Sequence, residues 1–189
     1  SLKVMNKSTQ RMLRLINQLL EFRKMQNNKL ALSLEETDVM GFLHEIFLSF
    51  KDTATSKNMD FRFLPSVPSY KMFIDKGNLD KVVYNLLSNA FKYTPSGGTL
   101  LFSVNVDEVK KCLYISVADT GIGIAKEKRG ELFKRFMQSN FSSNSTGIGL
   151  HLTHELVNVH KGTINYDENQ EGGSIFTVSL PIDTSAYEE

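Results

Sequence analysis

The segment NLLSNAFKYT, residues 85–94, carries polar side chains at helical spacing within an otherwise apolar stretch. On a helical wheel, Asn85, Asn89, Lys92 and Tyr93 form a stripe along the border of a broad apolar face. An asparagine carbonyl is a neutral oxygen ligand of the kind that Mg²⁺ accepts, and a lysine one turn further on can neutralise phosphate oxygens. The stripe therefore indicates either a polar ligand in a cleft or an ordinary solvated helix face.

Two glycine-rich segments follow the asparagine stripe. The first, DTGIGI, begins with Asp119 at the end of an apolar run and places Gly121 and Gly123 where the backbone can approach a flat ligand closely. An ionised aspartate only accepts hydrogen bonds, so Asp119 suits an exocyclic amino group such as that of adenine. The spacing matches neither GxGxxG nor GxxxxGK(S/T), which argues against dinucleotide and P-loop sites. A lone DxGxG is also typical of a tight turn.

The second glycine segment, Thr146-Gly147-Ile148-Gly149, precedes the helical pattern LHLTHELVNVH. Backbone N–H groups at the start of a helix can bind an anion when no side chain covers them. Taken alone, the segment is also what a glycine-rich loop ending at a helix would show.

The elements that must position these residues follow from the hydrophobic pattern. Residues 1–28 have the periodicity of a long helix whose apolar seam suits packing in a dimer or against a helix outside this chain, with packing onto its own domain as the alternative. Asp38 is the expected N-cap of the next helix. Further helices are predicted over about 39–56, 76–92 and 148–160, and strands at LALSLE, 59–64, YKMFID, 99–106, 112–118, GTINYDE and SIFTVSLP. This order predicts an α+β sandwich with one mixed sheet and helices on one face.

Composition narrows the class of protein. The chain has 189 residues, of which 41% are hydrophobic, which is enough for one core plus an appendage. A net charge of +1 gives no broad basic surface for nucleic acid. The single cysteine, Cys112, cannot form an internal disulfide and favours a reducing compartment. No apolar run has the length of a membrane span, although a longer parent protein could carry one elsewhere.

The order of the motifs resembles a known family. Asn85-x3-Asn89-x2-Lys92-Tyr93-Thr94, Asp119-x-Gly121-x-Gly123, Phe133-x2-Phe136 and Gly147-Ile148-Gly149-Leu150 resemble the N, G1, F and G2 boxes of sensor histidine kinases. These kinases belong to the GHKL ATP-binding superfamily, together with gyrase, Hsp90 and MutL. The resemblance covers about 38–182. The segment RMLRLINQLLEFRKM also resembles the second helix of a dimerisation and phosphotransfer domain, and FRKM is similar to hybrid two-component sensors of Bacteroidetes.

The resemblance implies an architecture and a cellular setting. The fold would be a two-layer α/β sandwich of the Bergerat type, with residues 31–189 as the ATP-binding catalytic domain. Residues 1–30 would be part of a dimerisation helix that precedes it. The chain would be the cytoplasmic portion of an inner-membrane sensor protein that is a homodimer at full length. Its partners would be a helix carrying the phosphoacceptor histidine and a response-regulator receiver domain.

The resemblance also implies roles residue by residue. Asn89 would coordinate Mg²⁺, with Asn85 beside it contacting phosphate or metal-bound water. Lys92 would meet phosphate, Tyr93 would pack near the adenine or ribose, and Asp119 would receive the adenine amino group. The remaining residues implied to shape the nucleotide pocket or close a lid over it are Gly121, Gly123, Ile124, Phe136, Thr146, Gly147, Ile148, Gly149, Leu150 and Thr177. The lid itself would span about 137–146, anchored by Phe133 and Phe136, two rings that would also suit a plain core.

The implied reaction is transfer of the γ-phosphoryl group of Mg-ATP to a histidine, through positioning and charge neutralisation by Mg²⁺ and Lys92. Hydrolysing relatives carry a glutamate where Asn85 stands. An amide cannot take a proton from water, so hydrolysis would be suppressed and the phosphoryl group would wait for an imidazole. The acceptor histidine is expected on a helix preceding residue 1, in an H-E-x-x-T-P setting that His44 lacks. We therefore expect this chain to bind Mg-ATP but not to phosphorylate itself.

A further departure, a group of histidines and two alternatives accompany this interpretation. Ser145 stands where the G2 box usually has a further glycine. His151, His154 and His160 have no carboxylate or cysteine partners at ligand spacing, so we expect them to be satisfied or exposed histidines and not a metal site. The alternatives for the function are a nucleotide-binding docking module derived from a degenerate kinase, and a GHKL protein-serine kinase.

Overall fold

A computed structural model describes residues 2–26, 31–133 and 149–188, apart from the side chains at positions 18, 21, 22 and 24–26. The helices are α1 Leu2–Gln26, α2 Val39–Ser49, α3 Lys51–Ser56, α4 Lys76–Tyr93, α5 Lys126–Arg129 and α6 Gly149–Val159, with a 3₁₀ helix over Thr184–Tyr187. The strands are β1 Glu35–Asp38, β2 Asp60–Pro65, β3 Lys71–Ile74, β4 Thr99–Asp107, β5 Cys112–Asp119, β6 Thr163–Glu168 and β7 Ser174–Pro181. Over these described ranges, none of the helices combines the length and the apolar character needed to cross a lipid bilayer.

The main sheet has five strands in the order β2-β4-β5-β7-β6. Strand β2 runs parallel to β4, and the other neighbours are antiparallel, so the sheet is mixed as predicted. The prediction of a single sheet was wrong, because β1 and β3 form a separate two-stranded antiparallel sheet. The four residues of β1 pair in full with the four of β3, from Glu35 opposite Ile74 to Asp38 opposite Lys71.

The helices cover one face of the main sheet, which confirms the predicted α+β sandwich. On β5, the side chains of Leu113, Ile115 and Val117 are buried, and β7 buries Phe176 and Val178 in the same core. Residues at alternate positions, on the opposite face, are only half-buried; they include Tyr114, Ser116, Thr177 and Ser179. The buried face of the sheet packs against α4 and α6, the two helices that carry the predicted functional residues.

The region after Asp38 confirms one local prediction and corrects another. The helix predicted over about 39–56 is interrupted at Phe50, whose buried ring stacks on Phe91 at a centroid distance of 5.6 Å. Asp38 is the N-cap residue of α2, as predicted. Its carboxylate accepts a hydrogen bond of 3.0 Å from the backbone N–H of Tyr70, which ties the segment before β3 to the start of α2.

The strand predicted at LALSLE was also wrong over most of its length. Residues 31–34 have no regular secondary structure, and pairing begins only at Glu35, opposite Ile74. Alternation of apolar and polar residues is not sufficient for a strand, because a strand also needs a neighbour for its backbone groups.

The N-terminal helix α1 is helical through Gln26, and residues 27 and 28 lie outside the described part of the chain. It contacts α6, and the Arg14 guanidinium carbon lies 3.4 Å from the centroid of the Tyr84 ring on α4. Its apolar seam nevertheless remains largely exposed, as shown by Leu2, Val4, Met5, Met12, Leu13, Leu15, Ile16, Leu19 and Leu20. The helix thus packs on its own domain while keeping the surface predicted for packing against other helices.

His160, directly after α6, is fully buried and hydrogen-bonded, as predicted for a satisfied histidine. Its Nε2 accepts from the backbone N–H of Asp75 at 3.1 Å, so the ring proton resides on Nδ1, which lies 2.8 Å from the Tyr187 hydroxyl. That hydroxyl donates to the backbone oxygen of His160. Burial lowers the pKa of His160 against the opposing charge of Asp75, and burial raises the pKa of Tyr187 to about 12.

The lowered pKa of His160 predicts a pH-dependent stability. Below the ordinary histidine pKa of about 6.5 the unfolded chain binds more protons than the folded chain, so the free energy of unfolding should fall as the pH decreases. The slope that this histidine contributes is at most about 1.4 kcal/mol per pH unit. Urea unfolding at several pH values between about 7.5 and 5 measures how the free energy of unfolding depends on pH.

His160→Gln should flatten that dependence, because the glutamine oxygen can still accept from Asp75 while the side chain no longer titrates. His44→Gln, at an exposed histidine, is the matched control and should keep the unsubstituted chain's slope. Equal slopes in all three proteins would contradict the prediction.

Candidate functional site

The polar stripe lies on the C-terminal half of α4. The helix begins at Lys76 because the Asp75 carboxylate caps it, accepting from the backbone N–H of Asn78 at 3.0 Å. Its apolar side is buried in the core, through Leu79, Val82, Val83, Leu86, Leu87 and Ala90. The polar stripe borders this apolar side. Along the stripe Asn85 is buried, Asn89 is half-buried and Lys92 is exposed. The stripe thus runs from the interior to the surface, as the wall of a cleft would.

Asn85 connects α4 to the beginning of α6. Its Nδ2 donates to the Thr153 hydroxyl at 3.3 Å, and that hydroxyl donates to the backbone oxygen of Gly149 at 2.7 Å. Gly149 and Leu150 are half-buried at this junction. The Asn85 side chain also carries a carbonyl oxygen, which is the kind of neutral oxygen ligand that Mg²⁺ accepts.

Asp119 ends β5 as a buried and oriented hydrogen-bond acceptor. Its Oδ1 accepts from the backbone N–H groups of Gly121 at 2.9 Å and of Ser174 at 3.2 Å. Its backbone oxygen accepts from the Asn169 side chain at 2.9 Å. Burial raises the pKa of Asp119, and the two backbone N–H groups lower it. The hydrogen bonds of the carboxylate to other described residues go to Oδ1, so Oδ2 is the oxygen that a bound donor group would use.

The loop after Asp119 is packed directly on the end of α4. A Cβ atom at Gly121 would clash with the backbone oxygen of Tyr93, and Gly123 has a φ of +69°, in the left-handed region. The backbone N–H of Ile122 donates to the same Tyr93 oxygen at 3.3 Å. The asparagine stripe and the Asp119 carboxylate, separate in the sequence, therefore border one site.

Gly173 and Ser174, which belong to none of the sequence motifs, lie against Asp119 from the start of β7. Gly173 has a φ of +94°, and a Cβ there would collide with the backbone oxygen of Asp119. Ser174 is buried and gives its backbone N–H to the Asp119 carboxylate. The only local signal is the Gly172-Gly173 pair immediately before an apolar strand, which is also typical of an ordinary turn.

Thr177, the residue implied on the adenine side, is not brought to Asp119. It pairs with Ser116, and both lie on the sheet face opposite the buried one. Ser174, three residues earlier, occupies the place beside Asp119. An offset of three residues in a strand changes the face, so an error of this size moves a side chain away from the site.

Lys57 binds the C-terminal end of α4, next to the site, and this contact was not evident in the sequence. Its Nζ donates to the backbone oxygens of Phe91 and Thr94, which are acceptors at the end of α4. A cation at a helix C-terminus is favourable because it compensates the helix dipole. The residue lies more than 30 positions before its partners, so no local pattern could have indicated this contact.

Several implied residues lie outside the described part of the chain. Phe136, Thr146, Gly147 and Ile148 belong to residues 134–148, as do Ser145 and the segment predicted as a lid. Phe133 is described, and its ring packs between the ring of His154, at 5.5 Å, and that of Phe176, at 6.3 Å. Phe133 is therefore part of the packing that joins α6 to the sheet.

Comparisons with known proteins identify the family of the chain. Residues 74–184 match the family described as "Histidine kinase-, DNA gyrase B-, and HSP90-like ATPase". Over 189 residues the chain is 36% identical to "Histidine kinase P4" of Formosa agariphila, covering 96% of this chain and 14% of that protein. It is 34% identical over 186 residues to "Sensor histidine kinase WalK" of Bacillus subtilis, and the match covers 95% of this chain and 30% of that protein. The chain thus spans less than a third of either relative.

A solved structure shows the same architecture. The full-length protein ShkA, in complex with AMPPNP, matches with a TM-score of 0.80 and 26% sequence identity. The match covers 95% of this chain and 37% of that one.

The Asp119 geometry predicts a specific loss on substitution. Asp119→Asn keeps an oxygen for Gly121 and Ser174 but replaces the outward acceptor by a donor, so the affinity for an adenine nucleotide should fall about tenfold or more. Isothermal titration calorimetry with ADP measures the change. Asp167→Asn, at an exposed aspartate of β6, is the control and should leave the affinity unaltered. An Asp119→Asn chain that binds ADP as tightly as the unsubstituted chain would show that this carboxylate does not contact the base.

Proposed function

The chain belongs to the family of histidine kinase-, DNA gyrase B- and HSP90-like ATPases, and on that premise we propose that it is the catalytic, ATP-binding part of a two-component sensor histidine kinase. In this proposal residues 31–189 form the catalytic domain and residues 1–30 belong to a dimerisation helix. The observation that carries the proposal is the meeting of the asparagine stripe on α4 with the Asp119 carboxylate, joined by the hydrogen bond from Ile122 to Tyr93.

The dimensions of the site suit an adenosine triphosphate. The adenine amino group would be received by Asp119, beside the backbone of Gly121, Gly123 and Ile124, and the phosphates would lie along Asn85, Asn89 and Lys92. From Tyr93 back to Asn85 the helix rises by roughly 12 Å, at about 1.5 Å per residue, which is the order of length from a base to its terminal phosphate. Tyr93 stands at the end of the stripe next to the Asp119 loop, where its ring can pack on the base or ribose.

The residues of the stripe also suit Mg²⁺. Asn89 and Asn85 offer neutral amide oxygens, and Mg²⁺ commonly takes few protein ligands together with substrate phosphate oxygens and water. When bound with the nucleotide, Mg²⁺ would neutralise charge on the phosphate oxygens. The ammonium of Lys92 lies 5.4 Å from the centroid of the Tyr93 ring at the exposed end of the stripe, where it can add a positive charge to the same oxygens.

The chain's own residues favour transfer to a histidine over hydrolysis. A carboxylate at position 85 could accept a proton from a water molecule, but the Asn85 amide cannot, and its hydrogen bond to Thr153 holds it in place. An imidazole nitrogen presented to the γ-phosphorus would form the new P–N bond while the bond to the β-γ bridging oxygen breaks and ADP leaves. Asn89 and Lys92 would hold the phosphates in line for that displacement.

The partners follow from the same proposal. The acceptor histidine would be supplied by a dimerisation helix that precedes this chain in a longer protein, and the exposed seam of α1 would pack in the homodimer. A response-regulator receiver domain would take the phosphoryl group onward. The parent protein would be an inner-membrane sensor with this part in the cytoplasm, and nucleic acid has no role.

The decisive experiment supplies the missing acceptor. The chain is mixed with a protein carrying a dimerisation helix of the H-E-x-x-T-P type and with ATP labelled at the γ-phosphate, and we expect label on that protein in an acid-labile, base-stable linkage. Asn89→Ala should reduce the transfer at least about tenfold, since it removes a group that positions the phosphates. Asn105→Ala, at an exposed asparagine of β4, is the control. Acid-stable label would instead identify a serine kinase, and ATP binding without any transfer would identify a docking module.

Removal of the metal provides a second test. The affinity for ADP, measured by calorimetry, should be about tenfold lower in EDTA than in excess MgCl₂, because the phosphate charge then lacks its counter-ion. In Asn89→Ala the difference between the two conditions should shrink, and in Asn105→Ala it should persist. An affinity that is the same with and without Mg²⁺ would remove the metal from the proposal.

A further inference from the structure

Side chains hold both backbone polar groups of Ile124. The N–H of Ile124 donates to the Tyr166 hydroxyl at 3.2 Å, and Arg129 Nε donates to the backbone oxygen of Ile124 at 3.0 Å. Neither bond belongs to a helix or a strand ladder, because residues 120–125 lie between β5 and α5 without regular structure. Tyr166 is on β6, more than 40 residues away in the sequence, so the contact is purely tertiary.

The two side chains also support each other. The guanidinium carbon of Arg129 lies 5.3 Å from the centroid of the Tyr166 ring, and its Nη2 lies 3.6 Å from a carboxylate oxygen of Glu168, two residues further on β6. The Tyr166 ring packs edge-on against Phe176 of β7 at a centroid distance of 5.3 Å. The clamp formed by Tyr166 and Arg129 is thus anchored in the sheet and not on a surface loop.

The same phenol reaches the residue that orients Asp119. The Tyr166 and Ser174 hydroxyls lie 3.4 Å apart and share a hydrogen bond, and the backbone N–H of Ser174 donates to the Asp119 carboxylate. One hydroxyl group therefore connects the Ile124 end of the loop with the strand that fixes the carboxylate at its other end.

We propose that Tyr166, together with Arg129, is a positioning residue for base recognition: the clamp fixes the loop from Gly121 to Ile124 relative to Asp119 before a nucleotide arrives. The inference rests on the proposed function and adds to it residues that need not touch the nucleotide. Two glycines give this loop conformational freedom that binding would otherwise have to remove. Holding Ile124 by both of its backbone groups removes that freedom in the free protein, which favours binding by pre-organisation.

Hydrogen exchange in the nucleotide-free chain tests the clamp itself. Tyr166→Phe removes the hydroxyl but keeps the ring that packs on Phe176, so the Ile124 amide should exchange several times faster while core amides of β5 stay protected. Tyr114→Phe is the matched control, because Tyr114 lies on the open face of the sheet, and it should leave Ile124 unchanged. Equal protection of Ile124 in all three proteins overturns the clamp.

Nucleotide affinity tests what the clamp does for recognition. The probes are ATP and purine riboside 5′-triphosphate, which lacks the exocyclic amino group that Asp119 would accept. Tyr166→Phe should weaken the binding of ATP about three- to tenfold and should weaken the binding of the analogue much less. The ratio of the two affinities, which measures the preference for ATP, should therefore decrease. A merely structural role would weaken both ligands equally, and that result overturns the proposal, as does an unchanged preference.

Arg129→Met should narrow the preference in the same direction, and the double variant should lose less than the sum of the single losses, because both side chains act through Ile124. Strict additivity of the two single losses contradicts a shared clamp.

The outcomes for the proposed function and for the clamp are separable. A chain that binds neither probe overturns the proposed function and the recognition role together, whereas normal ATP binding with an unaltered preference in Tyr166→Phe overturns the clamp alone.

Discussion

The candidate site depends on one close approach, between the end of α4 and the loop that follows Asp119. The backbone oxygen of Tyr93 accepts a hydrogen bond from the backbone N–H of Ile122. The two backbone segments are so close that Gly121 has no room for a side chain. If this contact were wider, the amides of the stripe and the carboxylate of Asp119 would belong to two surfaces. Lys57 reinforces it by donating to the last carbonyls of α4, which lack partners within the helix. The contact brings two weak polar patterns together at a single site.

Hydrogen bonds between buried polar groups fix the packing register of α4 and α6. Apolar packing alone tolerates sliding, whereas a buried hydrogen bond is lost when the register changes. Asn78 donates to the backbone oxygen of Leu156 and Asn85 donates to Thr153, so α4 and α6 are joined at two levels. A third connection, between His160 and Asp75, closes the same pair of helices at one end. These bonds place the beginning of α6 beside the asparagines that the site requires.

Much of this arrangement was predictable because the elements have strong local signals. The helix of residues 76–92 has a capping aspartate, an apolar face and a proline after its end, and the structure extends it by one residue. The strands of residues 99–106 and 112–118 alternate cleanly and were found within one residue. Predictions failed where local pattern competed with partners distant in the sequence. Residues 31–34 alternate but find no neighbouring strand, and the helix over 39–56 breaks where Phe50 turns its ring onto Phe91.

The sequence by itself determined the chemical inventory of the site: amides and an amine at helical spacing on α4, and a carboxylate followed by two glycines at the end of β5. It did so because helical periodicity and a strand-ending turn are encoded within a few residues. Only the tertiary structure decided that Ser174 and not Thr177 stands beside Asp119, and that Tyr166 and Arg129 hold Ile124. The contacts of Ser174 and Tyr166 depend on strand register and join residues more than 40 positions apart, so no local window of the chain contains them. Arg129 lies only five residues after Ile124, but nothing in the short segment between them encodes the direction in which its side chain turns.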